Sequence, residues 1–196
     1  MDKGRLEAFS DGVIAIIITI VVLVIDPPDE YDHAALVKMV PVVLMYTVSF
    51  FMIGLNWVNH HHLMRSVENV NGKILWVNLL YLFMLSFTPV MTGWVGKSRF
   101  ASVPLRCYAI MYFLTAMVYI LLEHVIVAEK SNRVTQDALL DRTKEKISAA
   151  VGILAVILSF IQPVRYLSIL AMLFSTAIWV IPDRRMEHMV SKNKES

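Results

Sequence analysis

Six runs of apolar residues, separated by polar or proline-containing segments, dominate this sequence of 196 residues. One crossing of the hydrocarbon core of a bilayer takes about 20 predominantly apolar residues. Hydrophobic residues make up 57% of the chain and charged residues 17%. In an ordinary soluble domain, about 45–50% of the residues are apolar and about 25% are charged. The sequence therefore predicts an all-α integral membrane protein, excludes a disordered chain and very nearly excludes a soluble enzyme.

The positions of the apolar runs predict six transmembrane helices in one domain, residues 1–196. The predicted spans are residues 9–25, 34–59, 74–95, 103–127, 147–161 and 164–181. The third span is expected to be interrupted at Pro89 and Gly93. The last two spans are separated only by Gln162-Pro163, which favours a tight helical hairpin because a single kinked helix would exceed the bilayer thickness. The polar stretch 128–146 is expected to be solvated.

The distribution of lysine and arginine predicts the orientation, since basic residues concentrate on the cytoplasmic side. With a cytoplasmic N-terminus, the inner side holds Lys3, Arg5, Arg65, Lys73, Lys130, Arg133, Arg142, Lys144, Lys146, Arg184, Arg185, Lys192 and Lys194. The outer side holds only Lys97, Arg99, Arg106 and Arg165. Both termini are therefore predicted to be cytoplasmic, and the acidic loop 26–32 is predicted to face outward.

Charge and cysteine content limit the expected partners. The formal net charge of +2 is too small to indicate a nucleic-acid partner. The single cysteine, Cys107, excludes an internal disulfide and a cysteine-based zinc site. No cleavable signal sequence is predicted, because Arg5 and Asp11 flank the first long apolar run and no A-x-A site follows it.

The first span differs from the others because it contains an aspartate, Asp11. A carboxylate inside a span costs several kcal/mol unless it is paired or hydrated. At about 100° per residue, one helical arc carries Gly12, Ile16, Thr19, Ile20 and Leu23. Asp11 lies about 110–120° from the middle of that arc and faces neighbouring helices. An Ile/Leu stripe alone most often indicates ordinary helix packing.

Motifs in the first three spans resemble those of the lysosomal potassium channel family of transmembrane proteins and its prokaryotic homologues. The family's first-helix signature is matched by Arg5-x-x-x-Phe9-Ser10-Asp11-x-x-x-Ala15-Ile16. The segment Trp57-Val58-Asn59-His60-His61 is similar to the family's W-x-x-H-H motif in the second helix. The third-helix pattern is matched loosely by Asn78-Leu79-Leu80 and Phe87-Thr88-Pro89.

This resemblance implies a prokaryotic, single-repeat channel that assembles as a homotetramer in the cell membrane. The first helices would line a central pore for potassium and other monovalent cations, with weak selectivity and no T-V-G-Y-G filter. Carried over by position, Ile16, Ile20 and Leu23 would form the hydrophobic constriction, and Thr19 would contribute to selectivity. A structural network would comprise Arg5, Phe9, Ser10, Asp11, Trp57, His60 and His61. No enzyme activity, cofactor or bound metal is expected.

Two other functions remain open from the sequence. A proton-coupled secondary transporter would use Asp11 and the histidines near the predicted inner face, although such proteins usually show repeat symmetry and mid-membrane polar sites. A membrane metalloenzyme would use His60, His61, Glu123 and His124. Adjacent histidines on a helix point about 100° apart and rarely share one metal ion. A pH response through these histidines is also consistent with the sequence.

Overall fold

The computed structural model describes residues 2–129 and 143–180, and their regular structure is entirely helical. Seven α-helices in these ranges are numbered here in chain order: α1 Lys3–Ile20, α2 His33–Ser66, α3 Gly72–Ser86, α4 Thr88–Lys97, α5 Ser102–Val127, α6 Thr143–Phe160 and α7 Leu167–Ile178. Two short 3₁₀ helices cover Val21–Val24 and Gln162–Val164. Most of the predicted polar stretch 128–146 and the C-terminal basic residues beyond 180 lie outside the described residues.

Four helical segments are long and apolar enough to cross a membrane, which confirms the first four predicted spans. They are Lys3–Val24, His33–Ser66, Gly72–Lys97 and Ser102–Val127. Side-chain caps set the starts of several of them, because the first N–H groups of a helix lack partners within the helix. Asp32 accepts a hydrogen bond from the Ala35 N–H at 2.7 Å before α2, and Asn71 accepts one from the Ile74 N–H at 3.0 Å before α3.

The third span consists of two helices, α3 and α4, that meet at Phe87. Pro89 lies in the first turn of α4, where its missing N–H breaks no helical hydrogen bond. The predicted interruption at Gly93 is wrong, since Gly93 lies inside α4. A Cβ added there would come within 3.2 Å of the Val24 Cβ. Gly93 therefore permits close helix packing, as small residues commonly do between membrane helices.

The last two predicted spans form the expected helical hairpin, with α6 and α7 packed together across the Gln162–Val164 turn. Among the described residues, helix α6 already includes residues 143–146, which belong to the polar stretch that was expected to be solvated. Helix α7 begins at Leu167 rather than at residue 164, because Pro163 lies in the separate 3₁₀ turn. All six predicted segments are therefore helical. Their boundaries differ at this hairpin, at the start of α1 (Lys3 rather than residue 9) and at the end of α2 (Ser66 rather than residue 59).

Two buried clusters hold the helices together. One places Leu6, Ile14 and Ile17 of α1 in a core with Tyr81 and Leu122. The other joins α2, α4, α5, α6 and α7 through residues that include Met45, Met52, Val95, Leu105, Tyr108, Ala155 and Met172. Helix α5 packs against α3, α4 and α6, whereas α1 packs mainly against α2 and α3. Helix α1 is thus held by one side only.

Candidate functional site

Helix α1 has one buried and one exposed face. Its buried residues are Leu6, Ser10, Ile14 and Ile17, at the three- and four-residue spacing of a core-facing stripe. The opposite side exposes Phe9, Ile16, Ile20 and Leu23, with Ile16 58% and Leu23 71% exposed. All the residues predicted to line the constriction therefore share one face, and no other described part of the same chain covers that face.

The exposed stripe continues from the α-helix into a 3₁₀ turn that the sequence does not predict. The α-helix ends at Ile20, and Leu23 belongs to the 3₁₀ helix Val21–Val24. A 3₁₀ helix has three residues per turn, so side chains three positions apart eclipse one another. Leu23 lies three residues after Ile20 and both side chains are exposed, so the exposed stripe extends from the α-helix into the 3₁₀ turn.

Thr19 lies on the same exposed face and uses its hydroxyl proton within its own helix. Its Oγ1 donates to the carbonyl oxygens of Ala15 at 3.0 Å and Ile16 at 2.9 Å. Because the single hydroxyl hydrogen points back to these carbonyls, the oxygen lone pairs are directed away from the backbone. The Thr19 oxygen can therefore accept a hydrogen bond or contact a cation on the exposed face.

A half-exposed polar cluster forms around Asp11. The Trp57 indole Nε1 donates to Asp11 Oδ1 at 2.9 Å, and Asp11 Oδ2 lies 3.7 Å from His61 Nδ1. Glu7 Oε1 lies 3.4 Å from the same His61 nitrogen. The Trp57 and His61 rings stack with centroids 5.7 Å apart and an interplanar angle of 29°. Asp11 thus has a hydrogen-bond donor, Trp57, and an imidazole, His61, beside it, the kind of polar surroundings that a carboxylate in a membrane helix requires.

A second, fully buried polar chain crosses from α1 to α3 and α2. Asn78 donates from Nδ2 to Ser10 Oγ at 2.9 Å, while Ser10 donates to the Leu6 carbonyl at 2.9 Å. Asn78 Oδ1 lies 2.7 Å from His60 Nε2. Since a carbonyl oxygen only accepts, His60 Nε2 carries the proton in this arrangement. The chain ties three helices together in the interior.

The predicted network is only partly assembled within one chain. Ser10 and His60 lie in the buried chain, and Asp11, Trp57 and His61 lie in the half-exposed cluster. Arg5 and Phe9 are both exposed, and Arg5 forms no ion pair among the residues that the structure describes. Their place in the network therefore remains a prediction.

Sequence reasoning placed neither Glu7 nor Asn78 in the polar network, although Asn78 belongs to the third-helix motif. Glu7 precedes Asp11 by one helical turn, so the i, i+4 spacing could have placed both on one side of α1. Asn78 is an amide inside an apolar span, which is a signal for a buried polar contact. The donor set proposed for a metalloenzyme does not converge: within residues 2–129 and 143–180, the group of three metal-donor side chains that come together is Glu7, Asp11 and His61.

Comparisons with known proteins agree with this helical arrangement. Residues 5–89 match the family described as "Endosomal/lysosomal potassium channel TMEM175". A potassium channel of Chryseobacterium sp. (strain P1-3) is 44% identical over 194 residues, which cover 98% of this chain and 100% of that protein. The chain belongs to the TMEM175 family. The resemblance inferred from the motifs is therefore confirmed.

Other TMEM175 relatives extend this result to a solved structure. A potassium channel of Chamaesiphon minutus is 31% identical over 82% of this chain and 86% of that protein. The crystal structure of a lysosomal potassium-selective channel TMEM175 homologue from Chamaesiphon minutus superimposes with a TM-score of 0.77 at 26% identity. The match covers 92% of this chain and 97% of that one. The mouse endosomal/lysosomal proton channel TMEM175 is 34% identical over 53% of this chain and 23% of its own length.

Proposed function

We propose that this TMEM175-family protein is a potassium-permeable, weakly selective cation channel, assembled as a homotetramer with α1 lining the central pore. The observation that supports this most directly is the exposed face of α1, which from Phe9 onward is apolar except for Thr19. Relatives named as potassium channels add support for the permeating ion. The protein would act in a prokaryotic cell membrane, with both termini in the cytoplasm.

The hydrophobic stripe would form the gate of this pore. Four copies of Ile16, Ile20 and Leu23 around an axis would form stacked apolar rings. A narrow apolar ring loses water, and an ion that enters it loses hydration without gaining a compensating contact. Widening of the rings would then admit hydrated ions. The stripe is continuous from α1 into the 3₁₀ turn, which supports a constriction longer than one ring.

Thr19 would supply the selectivity of the channel. Its hydroxyl proton is donated to the helix backbone, so its oxygen lone pairs would point toward the pore. Four such oxygens would replace part of the hydration shell and favour the larger, weakly hydrated potassium ion. A ring of hydroxyls gives weaker discrimination than a cage of backbone carbonyls, so modest selectivity is expected.

The two polar clusters would hold the pore helix in place rather than bind the permeating ion. Asp11 already has Trp57 and His61 as neighbours, and the buried Ser10–Asn78 contact ties α1 to α3. The alternative of a proton-coupled transporter gains no support from this geometry, because both polar clusters serve to attach α1 to its neighbours. The relatives reported above are named as channels.

Ion flux into liposomes that contain the purified protein tests this function. Potassium gradients are expected to drive flux faster than sodium gradients do, and Ile16→Asn is expected to raise flux or weaken selectivity by hydrating the constriction. Ile157→Asn is the matched control, because Ile157 is also exposed but lies on α6. If wild type and Ile16→Asn are both silent in several lipid compositions, the assignment of α1 as the pore helix is wrong.

A further inference from the structure

Three metal-donor side chains converge between α1 and α2. Glu7 and Asp11 lie one helical turn apart on α1, and His61 lies on α2. One donor atom from each of the three lies within 4.8 Å of the other two. The three residues combine one imidazole nitrogen with two carboxylate oxygens, which is a donor set that zinc accepts in proteins.

The spacing between these donors fits a shared cation better than a direct hydrogen bond. His61 Nδ1 lies 3.4 Å from Glu7 Oε1 and 3.7 Å from Asp11 Oδ2. This nitrogen is buried and has no hydrogen-bond partner among the described residues. Tetrahedral zinc with bonds of about 2.0–2.2 Å separates adjacent donor atoms by about 3.4 Å. A metal ion among these three donor atoms would therefore give the unpartnered nitrogen a partner.

The charge of the cluster also favours a dication. Two carboxylates one turn apart on a helix repel each other. Neither Glu7 nor Asp11 forms an ion pair with a lysine or arginine in the part of the chain that the structure describes. A bound cation of charge +2 would balance both carboxylates while the imidazole stays neutral, as metal ligation requires.

Trp57 orients two of the three donors at once. Its indole Nε1 donates to Asp11 Oδ1, so that Oδ2 is the oxygen left to face His61. Its ring stacks on the imidazole of His61 and restrains the rotation of that ring. Hydrogen bonds and packing around the ligands of a metal site fix their geometry and contribute to affinity. Trp57 is therefore a positioning residue for this group of donors.

We propose that Glu7, Asp11 and His61 form a binding site for one zinc-like divalent transition-metal ion per chain, with water completing the coordination. The ion would link α1 directly to α2 beside the Trp57 contact. Binding of the ion does not depend on whether the exposed face of α1 lines a pore, so a failed flux assay would leave this site untouched. The site differs from the His60, His61, Glu123 and His124 set considered from the sequence.

Isothermal titration of the purified full chain with Zn²⁺ in detergent tests the site directly. Wild type is expected to bind one ion per chain. Glu7→Gln and His61→Gln each remove one ligand and are expected to weaken zinc binding at least about tenfold. Asp29→Asn and His33→Gln are matched controls. Asp29 is exposed in the loop before α2, and His33 is exposed in the first turn of α2. Both variants are expected to bind Zn²⁺ as tightly as wild type does.

A second measurement guards against variants that merely fail to fold. Zn²⁺ is expected to raise the thermal unfolding midpoint of wild type, whereas Mg²⁺, which prefers all-oxygen sites, is not. Trp57→Phe keeps an aromatic ring beside His61 but removes the hydrogen bond to Asp11, and it is expected to weaken zinc affinity about 10- to 100-fold. Absence of stoichiometric zinc binding by wild type, or unchanged affinity in a folded Glu7→Gln variant, would overturn the proposal.

Discussion

Gly96 of α4 lies directly against the backbone of Val42 in α2: a Cβ built on Gly96 would come within 2.6 Å of the Val42 Cα. Backbone atoms cannot move aside as the end of a flexible side chain can. The contact therefore sets the distance between α4 and α2, and only glycine fits there. Close approach of this kind at small residues is a common mode of packing between membrane helices.

Gly96→Ala is accordingly expected to destabilise the protein by about 1–3 kcal/mol, the usual cost of overpacking a closely packed interior. Gly72→Ala is the matched control, because nothing lies within 4 Å of a Cβ at Gly72 and alanine favours the helix. Thermal unfolding of both variants in the same detergent gives the comparison. Equal midpoints for Gly96→Ala and Gly72→Ala would contradict the close contact.

The buried chain Ser10–Asn78–His60 gives a second prediction about stability. Asn78→Ala is expected to cost about 0.6–1.7 kcal/mol, from the average to the maximum measured for side-chain hydrogen bonds between membrane helices. The cost arises because two buried partners, Ser10 and His60, each lose a hydrogen bond. Asn59→Ala is the control. Asn59 donates to the Leu55 carbonyl of its own helix, so this substitution removes an amide and a hydrogen bond within one helix rather than between two.

A double-mutant cycle with Ser10→Ala separates the contact from the general cost of losing an amide. The loss in the double variant should be smaller than the sum of the two single losses, because both substitutions remove the same hydrogen bond. Strict additivity of the unfolding free energies would show that Ser10 and Asn78 are not coupled.

The sequence predicted the parts of this fold that depend on average hydropathy. The first four spans are confirmed, since one apolar stretch of spanning length is sufficient to indicate each of them. Periodicity also placed Ile16, Ile20 and Leu23 on one face of the first helix, and that face is exposed.

The differences from the sequence-based prediction occur where tertiary packing decides the structure. Gly93 looked like a helix breaker, but the neighbouring Val24 explains why a glycine is needed inside α4. The 3₁₀ turn at Val21–Val24 has no composition signal, because its four residues are as apolar as the preceding helix. Spacing and polarity mark Glu7 and Asn78 as polar residues of the spans, but their partners lie on other helices, and a single sequence does not identify those partners.

Assembly of the proposed pore predicts the size of the purified particle. The exposed apolar face of α1 is expected to be covered by copies of the same chain, so light scattering in detergent should give four protein chains per particle. Phe9→Glu places a charge on that face and is expected to weaken assembly, whereas Phe83→Glu changes an exposed phenylalanine on α3 and is the control. A stable wild-type monomer that conducts ions would contradict the tetrameric pore.

Thr19→Val tests the threonine hydroxyl with almost no change in side-chain volume. The substitution removes the oxygen that is directed to the exposed face, so the potassium-to-sodium flux ratio is expected to fall severalfold while total flux changes less. Thr47→Val is a close control, because Thr47 is also exposed and donates to the carbonyl four residues earlier, that of Val43, but lies on α2. Flux ratios measured in liposomes under paired potassium and sodium gradients give the comparison. If Thr19→Val keeps the wild-type ratio, or if Thr47→Val lowers it equally, the hydroxyl of Thr19 does not determine selectivity.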